Sequence, residues 1–116
     1  MTVQTIADKA RLELTEPEWR RAEALAKELA RDVDRNEFGK VVTYLKRTKS
    51  IERFTILLRN LPDSPFIRSN RTRGYFQRIA RASETHLKGL ETERALLVAS
   101  WAFRLMTYYQ PPKPRN

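Results

Sequence analysis

The 116-residue sequence predicts an all-α protein, a compact bundle of five to six amphipathic helices. Three observations carry this prediction. Apolar residues recur at three- and four-residue spacing along nearly the whole chain, the period of one buried helical face. Turn-forming residues are few: three glycines (Gly39, Gly74, Gly89) and six prolines, most of them outside the periodic stretches. No segment alternates convincingly as a strand does, and the apolar run Phe54 to Leu58 fits helical spacing better than a strand. With 41% hydrophobic residues there is material for one core, so the chain reads as a single domain over 1–110. The basic, proline-rich tail 111–116 is expected to be extended or disordered.

Each element has a local justification. Val3, Ile6, Ala7, Ala10 and Leu14 predict a first helix near 3–13. Thr15-Glu16-Pro17-Glu18 has the form of a capping box, with proline in the tolerant first turn. It opens a second helix over about 16–34, whose face is Trp19, Ala22, Ala26, Leu29, Ala30 and Val33. Asn36 is the expected cap of a third helix carrying Phe38, Val41, Val42 and Leu45, either separate from the second or a kinked continuation. Ser50 caps a fourth helix with the stripe Ile51, Phe54, Leu57, Leu58 and Leu61, and Pro62 stops it. The fifth runs from 70 to 87 and buries Tyr75, Phe76, Ile79, Ser83 and Leu87, with Gly89 as its C-terminal cap. Leu90, Leu97, Val98, Trp101, Leu105 and Tyr108 define a last helix ended by Pro111.

Composition excludes several functions. There is no cysteine, which removes disulfide frameworks, zinc fingers, iron–sulfur sites and thiol nucleophiles. His86, the single histidine, reads as a half-exposed structural residue rather than a ligand or general base. Glu91 and Glu93, like Asp32 and Asp34, are two apart and do not share a helical face. No glycine-rich phosphate loop is present. Catalysis, a metal and a cofactor are therefore not expected. No apolar run reaches a membrane span, and the first ten residues lack a secretory h-region, so a cytoplasmic location is expected.

Charge is the most informative feature. Lys and Arg number 23 against 14 Asp and Glu, a formal +9. Residues 1–37 carry a net −2 and residues 38–116 a net +11. Within 38–81 eleven cations, Lys40, Lys46, Arg47, Lys49, Arg53, Arg59, Arg68, Arg71, Arg73, Arg78 and Arg81, face only Glu52 and Asp63. Such segregation marks a surface for polyanions. Helical spacing puts Arg71, Arg78 and Arg81 opposite the fifth helix's core stripe, and Lys40 and Arg47 on one face of the third. Arg59 and Arg68 bracket the Pro62–Pro65 turn and are expected to join these faces. Arginine's fork suits bidentate phosphate contact, and Asn70 adds a neutral hydrogen-bonding group beside Arg71. The basic faces lie opposite core stripes rather than beside exposed apolar residues, which disfavours a membrane-surface helix.

The aromatic residues read mainly as packing. Trp19 and Trp101 sit on core stripes, and Tyr44 and Tyr75 lie at stripe edges beside cations, where rim packing competes with stacking on a base. Phe103 and Tyr109 fall off the main stripe of the last helix, which predicts an exposed apolar side for contact with protein, another copy included.

A cysteine-free helical bundle of this size, with a basic middle and a less basic N-terminal hairpin, resembles the small subunits of multi-subunit CRISPR effector complexes. The segment from Asn60-Leu61-Pro62 to Arg71-Thr72-Arg73-Gly74-Tyr75-Phe76 is similar to the region where those proteins pass from a loop into a basic helix. The resemblance is one of layout over most of the chain and has no sharp signature. It implies a non-catalytic subunit present in several copies, stacked along backbone subunits beside a large subunit, whose basic faces hold a DNA or RNA strand. Base pairing then supplies specificity while the protein recognises shape and charge. Two other classes compete: a helix-turn-helix DNA-binding regulator, disfavoured by the long connection from Leu61 to Asn70, and a helical adaptor for an acidic protein.

Overall fold

The computed structural model describes residues 2–60 and 69–109. Six α-helices follow in order: α1 (Val3–Ala10), α2 (Glu16–Asp32), α3 (Arg35–Thr48), α4 (Ile51–Asn60), α5 (Asn70–His86) and α6 (Thr92–Tyr109). No strand occurs among the described residues, as the all-α reading expects. The expected stops at Pro62 and Pro111, the residue Leu61, the Pro62–Pro65 turn, Arg68 and the tail 111–116 lie outside the described residues.

Local chemistry accounts for most boundaries. The Thr2 hydroxyl accepts from the Thr5 amide at 3.1 Å and opens α1. The helix ends at Ala10, earlier than the periodicity suggested, because residues 12 and 13 donate three positions back, to Lys9 and Ala10. That tighter turn carries Leu14 into the core and leaves Leu12 exposed. The Thr15–Glu18 capping box forms as predicted: the Glu18 amide donates to the Thr15 hydroxyl (3.3 Å) and the Thr15 amide donates to Glu18 Oε1 (2.8 Å). Buried Val33 adopts an extended conformation, so α2 and α3 are separate helices rather than one kinked helix. The cap of α3 is Asp34, not Asn36; the Asp34 carboxylate accepts from the Asn36 amide at 2.8 Å, and a charged acceptor outcompetes the amide two residues later. Ser50 caps α4 through the Arg53 amide (3.3 Å), and Ser69 caps α5.

Burial departs from the predicted stripes in places. In α4 only Phe54 and Leu58 are fully buried, with Ile51 and Leu57 half-buried. In α5, Tyr75 and Phe76 are half-buried while Ile79, Ala80, Ala82 and Ser83 fill the core. Helix α5 closes with Leu87 as its cap residue, and Gly89 sits two residues further on at φ +80°, inside the turn to α6. In α6 the buried face is Ala95, Val98, Ala99, Trp101, Ala102, Leu105 and Met106; Leu97 and Tyr108 lie at its margin.

Helix α6 is the central element, packed most extensively against α2 and also against α3 and α1. The other side of α2 meets α5, and α4 bridges α5 and α3. The result measures 42 × 41 × 21 Å. Alanines 22, 26, 95, 99 and 102, at most 1% exposed, remove bulk where α2 and α6 approach. Gly39 does the same between α3 and α6: a Cβ there would stand 2.8 Å from the Phe103 ring. Phe103 is thereby covered rather than exposed, with the Arg35 guanidinium 3.8 Å from its ring centroid and Arg35 Nε donating to its carbonyl. Tyr109 is also half-buried, its hydroxyl donating to Glu23 at 3.4 Å with Lys27 over its ring. The exposed apolar side expected on the last helix is thus absent, and with it that motive for contact between copies.

One ion pair joins distant parts of the chain. Arg94, at the start of α6, donates from Nε to Glu18 Oε2 (2.7 Å) and from Nη2 to Oε1, and also reaches the Glu13 carbonyl at 2.9 Å. The Arg94 guanidinium, helped by the Thr15 amide and hydroxyl, holds the largely buried Glu18 carboxyl down to about 2 from 4.5, against the opposing effect of burial. A folded-state value below the unfolded one means the stabilisation is complete above pH 4.5 and is lost as pH falls toward 2. The denaturant midpoint of Glu18→Gln should therefore lie below that of the parent at about pH 7 and converge with it at the acid end of that window. Gly39→Ala should destabilise, because overpacking at about 1–3 kcal/mol exceeds the helix-propensity gain of about 1 kcal/mol. In a Phe103→Leu background, where the ring is gone, the same substitution should become stabilising by thermal melts.

Candidate nucleic-acid interface

Apart from Arg68, which lies outside the described residues, and Lys49, which directly follows α3, the sequence-predicted site residues fall on α3, α4 and α5, which pack on one another. They divide by the flank of the helix each occupies. On α3, Phe38, Val41, Val42 and Leu45 face the core, and Lys40, Tyr44 and Arg47 emerge together on the solvent side next to α4. Lys46 is exposed but lies roughly 120° around the helix from Lys40, on the flank where Gly39 meets α6. Lys49 caps α3 in the left-handed region at φ 52°, its amide donating to the Leu45 carbonyl at 3.0 Å. On α4, exposed Arg53 shares the flank of Leu57, toward α3.

Arg59 behaves differently from its expected role. It sits on the opposite flank of α4 and forms a charge-assisted pair with Glu84 of α5, so it does not bridge the basic faces. The pair spans a cleft of about 770 Å³ between α4 and α5, lined by Ile51, Phe54, Ile56 and Leu87 among others. Ser83 borders this cleft with its hydroxyl buried and unpartnered among the described residues. Thr43, Thr48, Thr55 and Thr85, by contrast, all donate to the carbonyl four residues back.

On α5 the predicted outer face forms. Arg71, Arg78 and Arg81 are exposed, opposite Ile79 and Ser83. Arg71 Nε donates to the Tyr75 hydroxyl at 2.7 Å, which holds the guanidinium at the hydroxyl edge of the ring, 5.7 Å from its centroid. Arg78 donates to the Asp32 carbonyl at the end of α2 (3.4 Å). Arg73 is half-buried and donates to Asn70 Oδ1 at 3.4 Å, so Asn70 faces its own helix.

What sets this region apart is the scarcity of acid and not the unpaired state of its cations, since exposed Lys9, Arg20, Arg31, Lys88 and Arg104 also have no carboxylate partner among the described residues. Lys40 lies 3.2 Å from Glu37, and Arg59 is paired with Glu84. Lys46, Arg47, Lys49, Arg53 and Arg81 have no carboxylate partner among the described residues. Helices α2, α3, α4 and α6 each carry acid in the first turn, which favours the positive end of a helix. Helix α5, like α1, has none there, and it presents Arg71 and Arg73 beside the positive end of its dipole instead.

Sequence reasoning missed one feature of this region. Lys40, Val41 and Tyr44 of α3, Phe54, Leu57 and Leu58 of α4, and Phe76 of α5 enclose a slot of about 290 Å³. The half-exposed Tyr44 was the available signal; its partners on two other helices had none. His86, as expected of a structural residue, is half-buried with Nε2 3.3 Å from Glu28, and its carbonyl accepts from Arg21. Among the described residues no three His, Cys, Asp or Glu side chains converge as for a metal, and no helix is long and apolar enough to cross a membrane. No family model, curated protein or solved structure matches the chain.

The left-handed Lys49 gives a test of local strain. A side chain in that region costs about 1–2 kcal/mol; glycine escapes that strain but loses part of the gain to its freer unfolded chain. Lys49→Gly should raise stability by about 0.5–1 kcal/mol in denaturant titration.

Proposed function

We propose that this chain is a non-catalytic nucleic-acid-binding subunit that holds the sugar–phosphate backbone without reading sequence. The observation that carries the proposal is the exposed surplus of cations on α3, α4 and α5 that lacks internal carboxylate partners. Because residues 38–81 carry eleven cations against two acids, a predominantly basic surface spread over adjoining helices suits a ligand with regularly spaced negative charge. The arginine-bearing N-terminus of α5 supports the same reading, because a phosphate there would relieve repulsion between the helix end and its own side chains. Arg71, Arg78 and Arg81 form one contact group and Lys40, Arg47 and Arg53 a second.

The layout resemblance extends the proposal to a small subunit of a CRISPR-type ribonucleoprotein, with copies of the chain supporting a guide–target hybrid or a displaced strand beside backbone and large subunits. Single copies then bind weakly and avidity comes from assembly.

Two experiments test the phosphate contacts. Replacing Arg71, Arg78 and Arg81 together by alanine should weaken binding to all sequences alike and flatten the dependence of log K on log salt by about 2. Unchanged binding at about 100 mM salt would overturn the proposal. Glu84→Ala, which releases Arg59 from its partner, should instead tighten binding and steepen the salt dependence, whereas Arg59→Ala alone should change either little.

A further inference from the structure

We propose that the slot between α3, α4 and α5 accepts one unstacked nucleobase, so that the surface binds single strands through a base as well as through phosphates. The inference rests on the phosphate-binding reading above and adds a site to it. Its basis is the combination of an apolar pocket with a cationic border. Phe54, Leu57, Leu58 and Phe76 form its interior, and Tyr44, 39% exposed, stands at the mouth with its ring available. Lys40 closes the rim; its ammonium is exposed while its stem lies along the pocket wall. Arg47 follows Tyr44 by one turn of α3, and Arg53 precedes Leu57 by one turn of α4, both exposed and without carboxylate partners among the described residues. Among the described residues no carboxylate lines the pocket; Glu37 lies outside it, 3.2 Å from the Lys40 ammonium at the rim.

This combination matches the chemistry of a nucleotide: an apolar planar ring beside an anionic backbone. The size favours it over a protein ligand. At about 290 Å³ the slot is at the lower limit of small-molecule sites, room for one ring system. A docked amphipathic helix would need a groove that takes side chains over two or more turns. A base inside a duplex is stacked and paired and cannot enter, so the slot discriminates by strandedness and not by sequence, since its carbon-lined walls offer little to tell one base edge from another.

The test compares three probes of equal length, about 12 nucleotides, with the full-length protein: a thymidine strand, the same strand with abasic sugars, and a duplex. The thymidine strand should bind about tenfold more tightly than the abasic one, while both show the same salt slope. Tyr44→Ala should erase that tenfold difference and leave the salt slope unchanged, and Tyr44→Phe should restore it. Since Tyr44 lies on the exposed side of α3, an unaltered helical circular dichroism spectrum verifies that the variant folds. Because Leu57 is only half-buried, Leu57→Phe, which fills the slot, is the second variant and should likewise erase the difference. Equal binding of thymidine and abasic strands, or duplex binding as tight as single-strand binding, would overturn the slot while leaving the phosphate reading intact. If none of the three binds at low salt, both readings fail. If sedimentation shows that Tyr44→Ala dissociates an oligomer, the slot is a contact between copies and the inference is overturned.

Discussion

Glu18 accepts from the Thr15 amide at the start of α2 and, through both oxygens, from Arg94 at the start of α6; Arg94 in turn reaches the Glu13 carbonyl between α1 and α2. This one carboxylate therefore ends one helix properly, fixes where another begins, and pins the turn between the first two. The α2–α6 packing, the most extensive in the molecule, is registered by that contact at one end and by small side chains along its length. A buried charge is tolerated here because every remaining lone pair that matters has a donor. Other long-range polar contacts extend the scheme: the Ile51 amide donates to the Thr92 hydroxyl, Arg21 donates to the His86 and Lys88 carbonyls, and Trp101 donates to Glu13.

The acidic residues are mostly occupied in this internal work. Glu13 receives Trp101, Glu16 pairs with Arg11, Glu23 accepts from Tyr109, Glu28 faces His86, and Asp34 caps α3. Some cations of the N-terminal half are similarly engaged, Arg35 on Phe103 and Arg11 over Trp19, while Lys9, Arg20 and Arg31 are exposed without a carboxylate partner among the described residues. The charge imbalance of the sequence thus has a structural meaning. Where acids are plentiful they hold helices together, and where they are scarce, on α3 to α5, basic side chains remain directed at solvent.

What could be read in advance followed sequence distance. The capping box at Thr15, the Ser50 cap and the core stripes of α2 and α3 depend on residues within a turn or two, and local periodicity shows them. The exposed faces of Arg71, Arg78 and Arg81, and of Lys40 and Arg47, were legible for the same reason. Asp34 and Asn36 are rival caps two residues apart, and only the extended Val33 between α2 and α3 decides between them. Phe103 was misread because its cover, Gly39 and Arg35, lies more than sixty residues away. Arg59 was misread because its carboxylate is on another helix. The apolar slot was invisible because no one of the three helices that build it contains more than a fragment.

At 21 Å, the short dimension is about two helix diameters. A wafer of that depth has no interior large enough to engulf a polymer, and each helix keeps one side wet. Side chains on the broad sides therefore meet bulk ions directly, so the electrostatic potential of this surface should follow the surrounding electrolyte closely.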